Sequence, residues 1–289
     1  MIKHKPTRRQ FMAGAAGAGL TLWMSSNLRA AGANDDIRIG VIGFNGRGGD
    51  HIKTFRSIPG VRVVALCDAD QKVLDRGAAL FAKDNQKVET YIDMRKLLEN
   101  KNIDAITTAT PNHWHSLVTV WGCQAGKDVY VEKPVSHNIF EGRKCVEAAK
   151  KYNRVVQVGT QRRSDLGYHK AWDFIQKGNL GKILYVRGFC YKPRGSIGKT
   201  TGPQPIPATV NYDLFCGPAP MDPPRRKNFH YDWHWFWATG NGDIGNQGIH
   251  EMDLCRWALG EQALAPRVYT FGGRFVVDDD AETPNTEIA

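Results

Sequence analysis

The stretch Ile37-Arg38-Ile39-Gly40-Val41-Ile42-Gly43-Phe44-Asn45-Gly46-Arg47-Gly48-Gly49 decides how this chain folds. A short β-branched run enters a cluster of glycines, and the polar and apolar residues beyond it predict a helix over residues 49–57. Strand, glycine turn and helix in that order are the context a dinucleotide-binding fingerprint requires. Glycines let the backbone turn tightly and approach a pyrophosphate. The helix N-terminus then faces the phosphates with unpaired N–H groups and a partial positive charge. In the G-x-G-x-x-G frame Gly43 and Gly48 fill the first and third places, while Asn45 holds the second with Gly46 directly after it. Asn tolerates positive φ better than most residues, so a shifted turn serves the same end. The next apolar run, Val61-Arg62-Val63-Val64-Ala65-Leu66-Cys67-Asp68, ends in an acid twenty residues after Gly48. A carboxylate there accepts both ribose hydroxyls of an adenosine and repels a 2′-phosphate. Asp68 therefore points to NAD rather than NADP, and Arg47 is the residue of the turn that a 2′-phosphate would meet.

The alternation continues outward. Residues 88–91 predict a third strand, 94–100 a short helix, and 103–109 a buried strand that stops at Thr110-Pro111, because proline cannot continue a central ladder. Residues 116–125 predict a helix with Gly126 placed to end it, 128–131 a strand, 140–152 a helix and 155–159 a sixth strand. Repeated β-α alternation implies a doubly wound parallel sheet that takes ligands beyond the carboxyl ends of its strands. Later, 183–191 reads as a strand and 244–259 as a helix. The loop over 193–224, rich in Pro and Gly, is of a length that usually lines a site or carries an interface.

Composition limits the alternatives. The 289 residues are 42% hydrophobic, 24% charged and 10% aromatic, which excludes wholesale disorder and a multi-span membrane protein. Of the net charge of +10, +5 comes from Lys3, Lys5, Arg8, Arg9 and Arg29, with no acid among the first 33 residues, so +5 remains for the body. The body has no long run of like charges and no basic stripe with interleaved aromatics, and no nucleic-acid partner is expected. Cys67, Cys123, Cys145, Cys190, Cys216 and Cys255 form no Cys-x-x-Cys pair and read as small buried apolar residues. Residues 1–33 read as an address: Thr7-Arg8-Arg9-Gln10-Phe11-Met12 precedes a mildly apolar Gly/Ala run, and Ala31-Gly32-Ala33 offers a small-x-small cleavage pattern. The paired arginines with Phe11 resemble a twin-arginine signal. The apolar run falls short of the roughly 18 residues a span takes, so no stable membrane span is expected after cleavage. The mature protein is expected in the periplasm, delivered by the twin-arginine export machinery. That route carries folded proteins with cofactor in place, which suits a cytoplasmically made dinucleotide.

Three later motifs complete a pattern. Thr110-Pro111-Asn112-His113-x-His115 follows the fourth strand, and Glu132-Lys133-Pro134 follows the fifth. Gly240-Asn241-Gly242-Asp243-Ile244-Gly245-Asn246-Gln247-Gly248-Ile249-His250-Glu251-Met252-Asp253 lies much further on. With the glycine turn, this order resembles the Gfo/Idh/MocA oxidoreductases from about residue 36 to about residue 260. The resemblance implies an α/β protein in three parts: the signal over 1–33, an N-terminal NAD(P)-binding Rossmann domain with a doubly wound parallel sheet over 34–160, and a C-terminal α/β domain over 161–289. The last would carry an open, mostly antiparallel sheet that binds substrate and supports a homo-oligomer. Family members are commonly longer, so that sheet is expected to be incomplete, with an exposed edge. The resemblance also implies an NAD(P)-dependent dehydrogenase acting on the CH–OH groups of a sugar, polyol or glycoside. Lys133 would be its active-site lysine, Glu132 would position ligand or cofactor, and Pro134 would fix the bend.

The chemistry of the residues agrees. A lysine at a strand's carboxyl end beside a nicotinamide can polarise a substrate hydroxyl, and partial burial lowers its pKa toward acid–base work; the plain alternative is a solvated lysine on a turn. On the predicted helix, Asn246, His250, Asp253 and Trp257 are spaced to share one face. His250 is the natural general base, and Asp253, one turn on, contacts the same ligand or orients its neighbours. The place of Asn246 is often Asp in the family. An amide hydrogen-bonds a hydroxyl but cannot take its proton, so proton transfer falls to His250 or Lys133. Thr110, Pro111, Asn112 and His113 are placed to line the cofactor cleft, and Gln161, Arg162 and Arg163 either face substrate or lie solvated. The aromatic run 231–237 suits the faces of a pyranose, though such a run is more often core or an oligomer contact. The same site allows an alternative outcome, an NAD-dependent glycosidase or lyase acting by transient oxidation and elimination without net redox. His113, His115, His230, His234 and His250 make no recognised metal pattern, and no metal site is expected.

Overall fold

The computed structural model describes residues 36–260 and 263–289. The expected signal sequence lies outside the described residues. Six strands alternate with five helices: β1 (Ile37–Ile42), α1 (Arg47–Arg56), β2 (Val61–Cys67), α2 (Gln71–Lys83), β3 (Glu89–Tyr91), α3 (Met94–Glu99), β4 (Ala105–Thr108), α4 (Asn112–Gln124), β5 (Asp128–Glu132), α5 (Ile139–Lys151) and β6 (Val156–Gly159). They form one sheet in the order β3-β2-β1-β4-β5-β6. The ladders are parallel, with Ala65 opposite Glu89, Ile39 opposite Ala105, Ala105 opposite Asp128 and Val129 opposite Val156. The strand order reverses between β1 and β4, and the crevice beyond their carboxyl ends is where such a sheet binds ligand.

Both faces of the sheet are covered, because successive strand residues point to opposite sides. Ile39, Val41, Val63 and Leu66 pack with Ile52 of α1 and Val73, Leu74 and Phe81 of α2. Ile42, Cys67, Ile106 and Val131 pack with Leu97 of α3, Val118 of α4 and Ala148 of α5 on the other side. Helix starts follow capping chemistry. Asp70 accepts from Lys72 N at the head of α2, and Asn138 accepts from Glu141 N at the head of α5. Helix α4 begins at Asn112, four residues before its predicted start at 116. His113, Trp114 and His115 are all buried, so this first turn carries none of the polar–apolar alternation that marks a surface helix.

The later chain is less regular. A 3₁₀ turn (Gln161–Ser164) leads into α6 (Leu166–Gln176), followed by α7 (Tyr212–Cys216), a second 3₁₀ turn (Asp232–Trp235), a π-helical turn (Ile244–Gly248) continuing into α8 (Ile249–Leu259), and the antiparallel pair β7 (Phe271–Gly273) and β8 (Thr286–Ile288). The strand predicted over 183–191 does not form: the segment joins no ladder, with Leu184 78% and Tyr191 85% exposed. An extended segment becomes a strand only when a neighbour takes its N–H and C=O groups, and none of the described residues does so here. The expected open, mostly antiparallel sheet is accordingly seen only as the small pair β7–β8. Nor are all six cysteines buried, for Cys190 is exposed. The three aspartates near the end tie down the long loop: Asp279 accepts from Ile197 N, Asp280 from Thr200 N and Oγ1, and Asp278 pairs with Lys199. No described helix is long and apolar enough to cross a membrane.

Candidate active site

A cavity of about 800 Å³ opens at the switch point, walled by the carboxyl ends of β1, β2, β4 and β5. That is ample for a dinucleotide and a small substrate. Its floor is the turn between β1 and α1. Gly43 has φ +72°, a conformation that costs an L side chain energy, and a Cβ on it would press on Thr110. A Cβ on Gly48 would lie 2.1 Å from Gly43 O, so Gly48 serves the close packing of helix on strand and does not itself line the cavity. Gly43, Asn45, Gly46 and Arg47 do line it. No side chain caps α1 at Gly46, so the positive end of the helix is left to face an anion. These features fit the pyrophosphate of NAD.

Asp68 lies at the end of β2, where its carboxylate accepts from Phe44 N at 3.0 Å and from Asp70 N at 3.1 Å. Burial pushes this carboxyl above the usual range against the pull of those two N–H groups. A carboxylate has about four lone-pair positions, so two remain for ribose hydroxyls. Asn45 accepts from Arg76 at 2.8 Å. Arg47, the candidate for a 2′-phosphate, is held by Glu132 and Asp50, each at 3.0 Å.

At the other end stands Glu132-Lys133-Pro134, with the Lys133–Pro134 bond cis. Lys133 Nζ donates to the backbone oxygen of Asn246 at 2.5 Å and to its Oδ1 at 3.0 Å. Burial lowers the lysine's pKa, and Arg194 and Arg47 reinforce the shift against the attraction of Glu132. His250 lines the same cavity, and its Nδ1 is buried with no hydrogen-bond partner among the described residues. Burial and then the charge of Lys133 push its pKa below the ordinary 6.5, so the ring is neutral near pH 7 and able to accept a proton. Glu132 is 4% exposed. It accepts from Arg47, from His51 Nε2 at 2.9 Å and from Gln161 Nε2 at 2.8 Å, and Thr107 Oγ1 meets His51 Nδ1 at 2.7 Å. Burial alone would raise this carboxyl, but the bonds from His51 and Arg47 prevail and hold it at about 2.

Not every predicted residue reaches the cavity. Thr110, Pro111 and Asn112 line it, but His113 does not: its ring nitrogens face the carbonyls of Thr239 and Phe215, and burial lowers its pKa to about 4. His115 lies on the wall with its nitrogens on the carbonyls of Pro134 and Thr110. Asp253 points elsewhere, into a two-pronged ion pair with Arg163 at 2.8 and 2.9 Å, and Arg163 also covers the Trp257 ring. Asn246 lies on the π-helical turn and His250 at the start of α8, both lining the cavity, while Asp253, further along the same α-helix, has its carboxylate drawn onto Arg163. His51 escaped the sequence reading, and His234 entered it only through the aromatic run and the histidines weighed as metal ligands. His51 follows the fingerprint by only a few residues, so its helical position was available, but nothing local tied it to Glu132. His234, in the aromatic run, lines the cavity with its ring stacked on Trp233, and burial lowers its pKa to about 4.

Comparison with known proteins places this architecture. The inositol 2-dehydrogenase of Salmonella typhimurium is 29% identical over 235 residues, covering 81% of this chain and 57% of that protein. The chain thus spans little more than half the length of that relative. A glycosyl hydrolase family 109 protein of a Shewanella species is 28% identical over 160 residues, covering 52% of this chain and 34% of the relative. Among solved structures, myo-inositol 2-dehydrogenase of Lactobacillus plantarum superposes with a TM-score of 0.53 at 26% identity, over 78% of this chain and 57% of that one. Residues 37–160 match the oxidoreductase family's NAD-binding Rossmann fold, and residues 171–277 match its C-terminal α/β domain. The two matches follow one another along most of the chain, which belongs to the Gfo/Idh/MocA oxidoreductase family.

Proposed function

We propose that the chain belongs to an NAD-dependent dehydrogenase acting on a CH–OH carbon of a cyclic polyol, sugar or glycoside. The observation that carries this reading is that Lys133, Asn246 and His250 converge in the same cavity as the glycine turn and Asp68. NAD, when bound, supplies the hydride acceptor. Asp68 and the uncapped end of α1 would hold its adenosine and pyrophosphate, and Thr110, Pro111 and Asn112 its flank. Lys133 donates a hydrogen bond to the substrate oxygen, and Asn246 fixes the ammonium through two acceptors. His250 takes the hydroxyl proton, since its ring is neutral and Asn246 cannot do so. The inositol dehydrogenase relatives support a polyol substrate. The test is a screen of inositols, aldoses and glycosides for NADH formation, repeated with Lys133→Met. Polyol-dependent NADH formation that disappears in the variant supports the reading; none with any CH–OH substrate, at saturating NAD, overturns it.

A second outcome, transient oxidation followed by elimination or hydrolysis without net redox, is compatible with the amide at Asn246 and is supported by the family 109 relative. Glycoside cleavage without accumulating NADH separates the two. We further propose export by the twin-arginine route to the periplasm, three parts bounded at residues 33 and 160, and a homo-oligomer. The first rests on the residue pattern of 1–33, and the last on the exposed apolar residues of 184–191 and 268–276.

A further inference from the structure

The loop between α6 and α8 does more than connect them. Its residues 209–217 run between the end of β2 and the start of α4, bonded to both banks, and line part of the cavity. On the β2 bank Asn211 N–H donates to Ala69 O at 2.8 Å, Gln71 N–H donates to Thr209 O at 2.9 Å, and Val210 forms a one-residue antiparallel bridge with Asp70. His230 Nε2 clamps the same aspartate at 2.9 Å. On the α4 bank the carbonyl of Phe215 accepts from Trp114 Nε1 at 3.0 Å and faces His113 Nε2 at 3.1 Å. Phe215, Cys216, Phe229 and Trp233 make a small apolar core that rests on Ala69 and Val210. Gly217, at φ +50°, lies so close to the Trp114 ring that a Cβ there would come within 1.9 Å of it. Between these anchors Asp213, Leu214 and Phe215 form cavity wall, as do Leu117 and Trp121, and the β2 anchors Ala69 and Asp70 follow directly on Asp68.

We propose that residues 209–217 are a strap closing the adenosine end of the cleft, so that the dinucleotide is retained between turnovers and does not exchange with the medium. This rests on the reading of the cleft as an NAD site. A bound adenosine lies under a segment held by backbone bonds and the His230–Asp70 contact on one bank, and by the Trp114 ring N–H and the His113 ring on the other. Leaving requires those to open together, so exchange is slower than the strength of the nucleotide's own contacts implies. Leu214 and Phe215, with Leu117 and Trp121, give an apolar slot for a base, a wall that the glycine fingerprint does not provide.

Full-length protein is loaded with labelled NAD, passed through gel filtration in nucleotide-free buffer, and chased with excess unlabelled NAD to obtain the release rate. Gly217→Ala forces the strap off Trp114, and His230→Ala removes the clamp on Asp70; circular dichroism establishes which variants are folded. Retention of label by the wild type, with release about tenfold faster or more in each folded variant, is expected for the loss of one charged or buried anchor. Release from the wild type within seconds, or equal release in the wild type and folded variants, overturns the strap while leaving the NAD site intact. No binding of NAD at all on titration of the wild type overturns the function proposed above, and the strap with it.

Discussion

Lys133 and His250 share one cavity but have different work, and their variants separate it. Lys133→Met should lower kcat by about 10³-fold and His250→Gln by about 10²-fold, within the usual span of acid–base catalysis, with little change in the KM for NAD. Burial and Lys133 depress the pKa of His250. The base form therefore grows in as pH rises through a value below 6.5, and kcat should be flat above about pH 8, where such a group is fully deprotonated; a limb still climbing there would place the base elsewhere. Asp253→Asn is the contrast: its carboxylate is spent on Arg163 outside the cavity, and kcat should stay within roughly threefold of wild type, a factor set by indirect effects alone. Glu132 gives a prediction on stability. Its folded pKa of about 2 lies below the ordinary 4.5, so its contribution is present above pH 4.5 and lost as pH falls toward 2. The stability gap between wild type and Glu132→Gln, about 3 kcal/mol at pH 7, should close across that window in urea unfolding.

At the scale of elements, the first half of the fold was legible because its signals are local. The β1 run, the glycine turn and the Asp68 terminus are read within some thirty residues, and β2, β4 and β5 carry buried apolar or β-branched runs of their own. Gly48 tests this level directly. Its Cβ would meet the oxygen of Gly43, so Gly48→Ala should cost about 1–3 kcal/mol by overpacking and should weaken NAD binding, checked by unfolding and by titration. What failed to show in sequence depends on partners far along the chain. The strand over 183–191 has suitable residues but no ladder neighbour. The start of α4 was hidden because both of its faces are covered, by Phe215 and Thr239 on one side and Pro134 on the other. The helical period from Asn246 puts Asp253 near the site face, but Arg163, 90 positions back along the chain, draws its carboxylate away, a pairing no local signal announces. His51 reaches Glu132 across 81 positions, a distance no motif spans.

Across the whole molecule, cofactor and substrate chemistry meet because two distant parts of the chain meet. The Rossmann sheet brings the glycine turn, Asp68 and Lys133 to one crevice, and the later chain supplies Asn246, His250, His234 and the strap to the same cavity. The motif order along the sequence announced the first of these and named Asn246 and His250, but it could not show that the long loop folds back over the adenosine end. The aromatic run 231–237 serves both: Tyr231, Trp233 and His234 line the cavity, and Trp233 also belongs to the small core under the strap.

The central claim is that this cavity is an NAD site, and the most direct test is to denature protein purified without added nucleotide and assay the released NAD(H) and NADP(H), with titration of any protein that emerges empty. The account predicts NAD(H), approaching one per chain, and no NADP(H). NADP(H) in its place would contradict the role given to Asp68, and protein that neither carries nor binds either nucleotide would contradict the function itself.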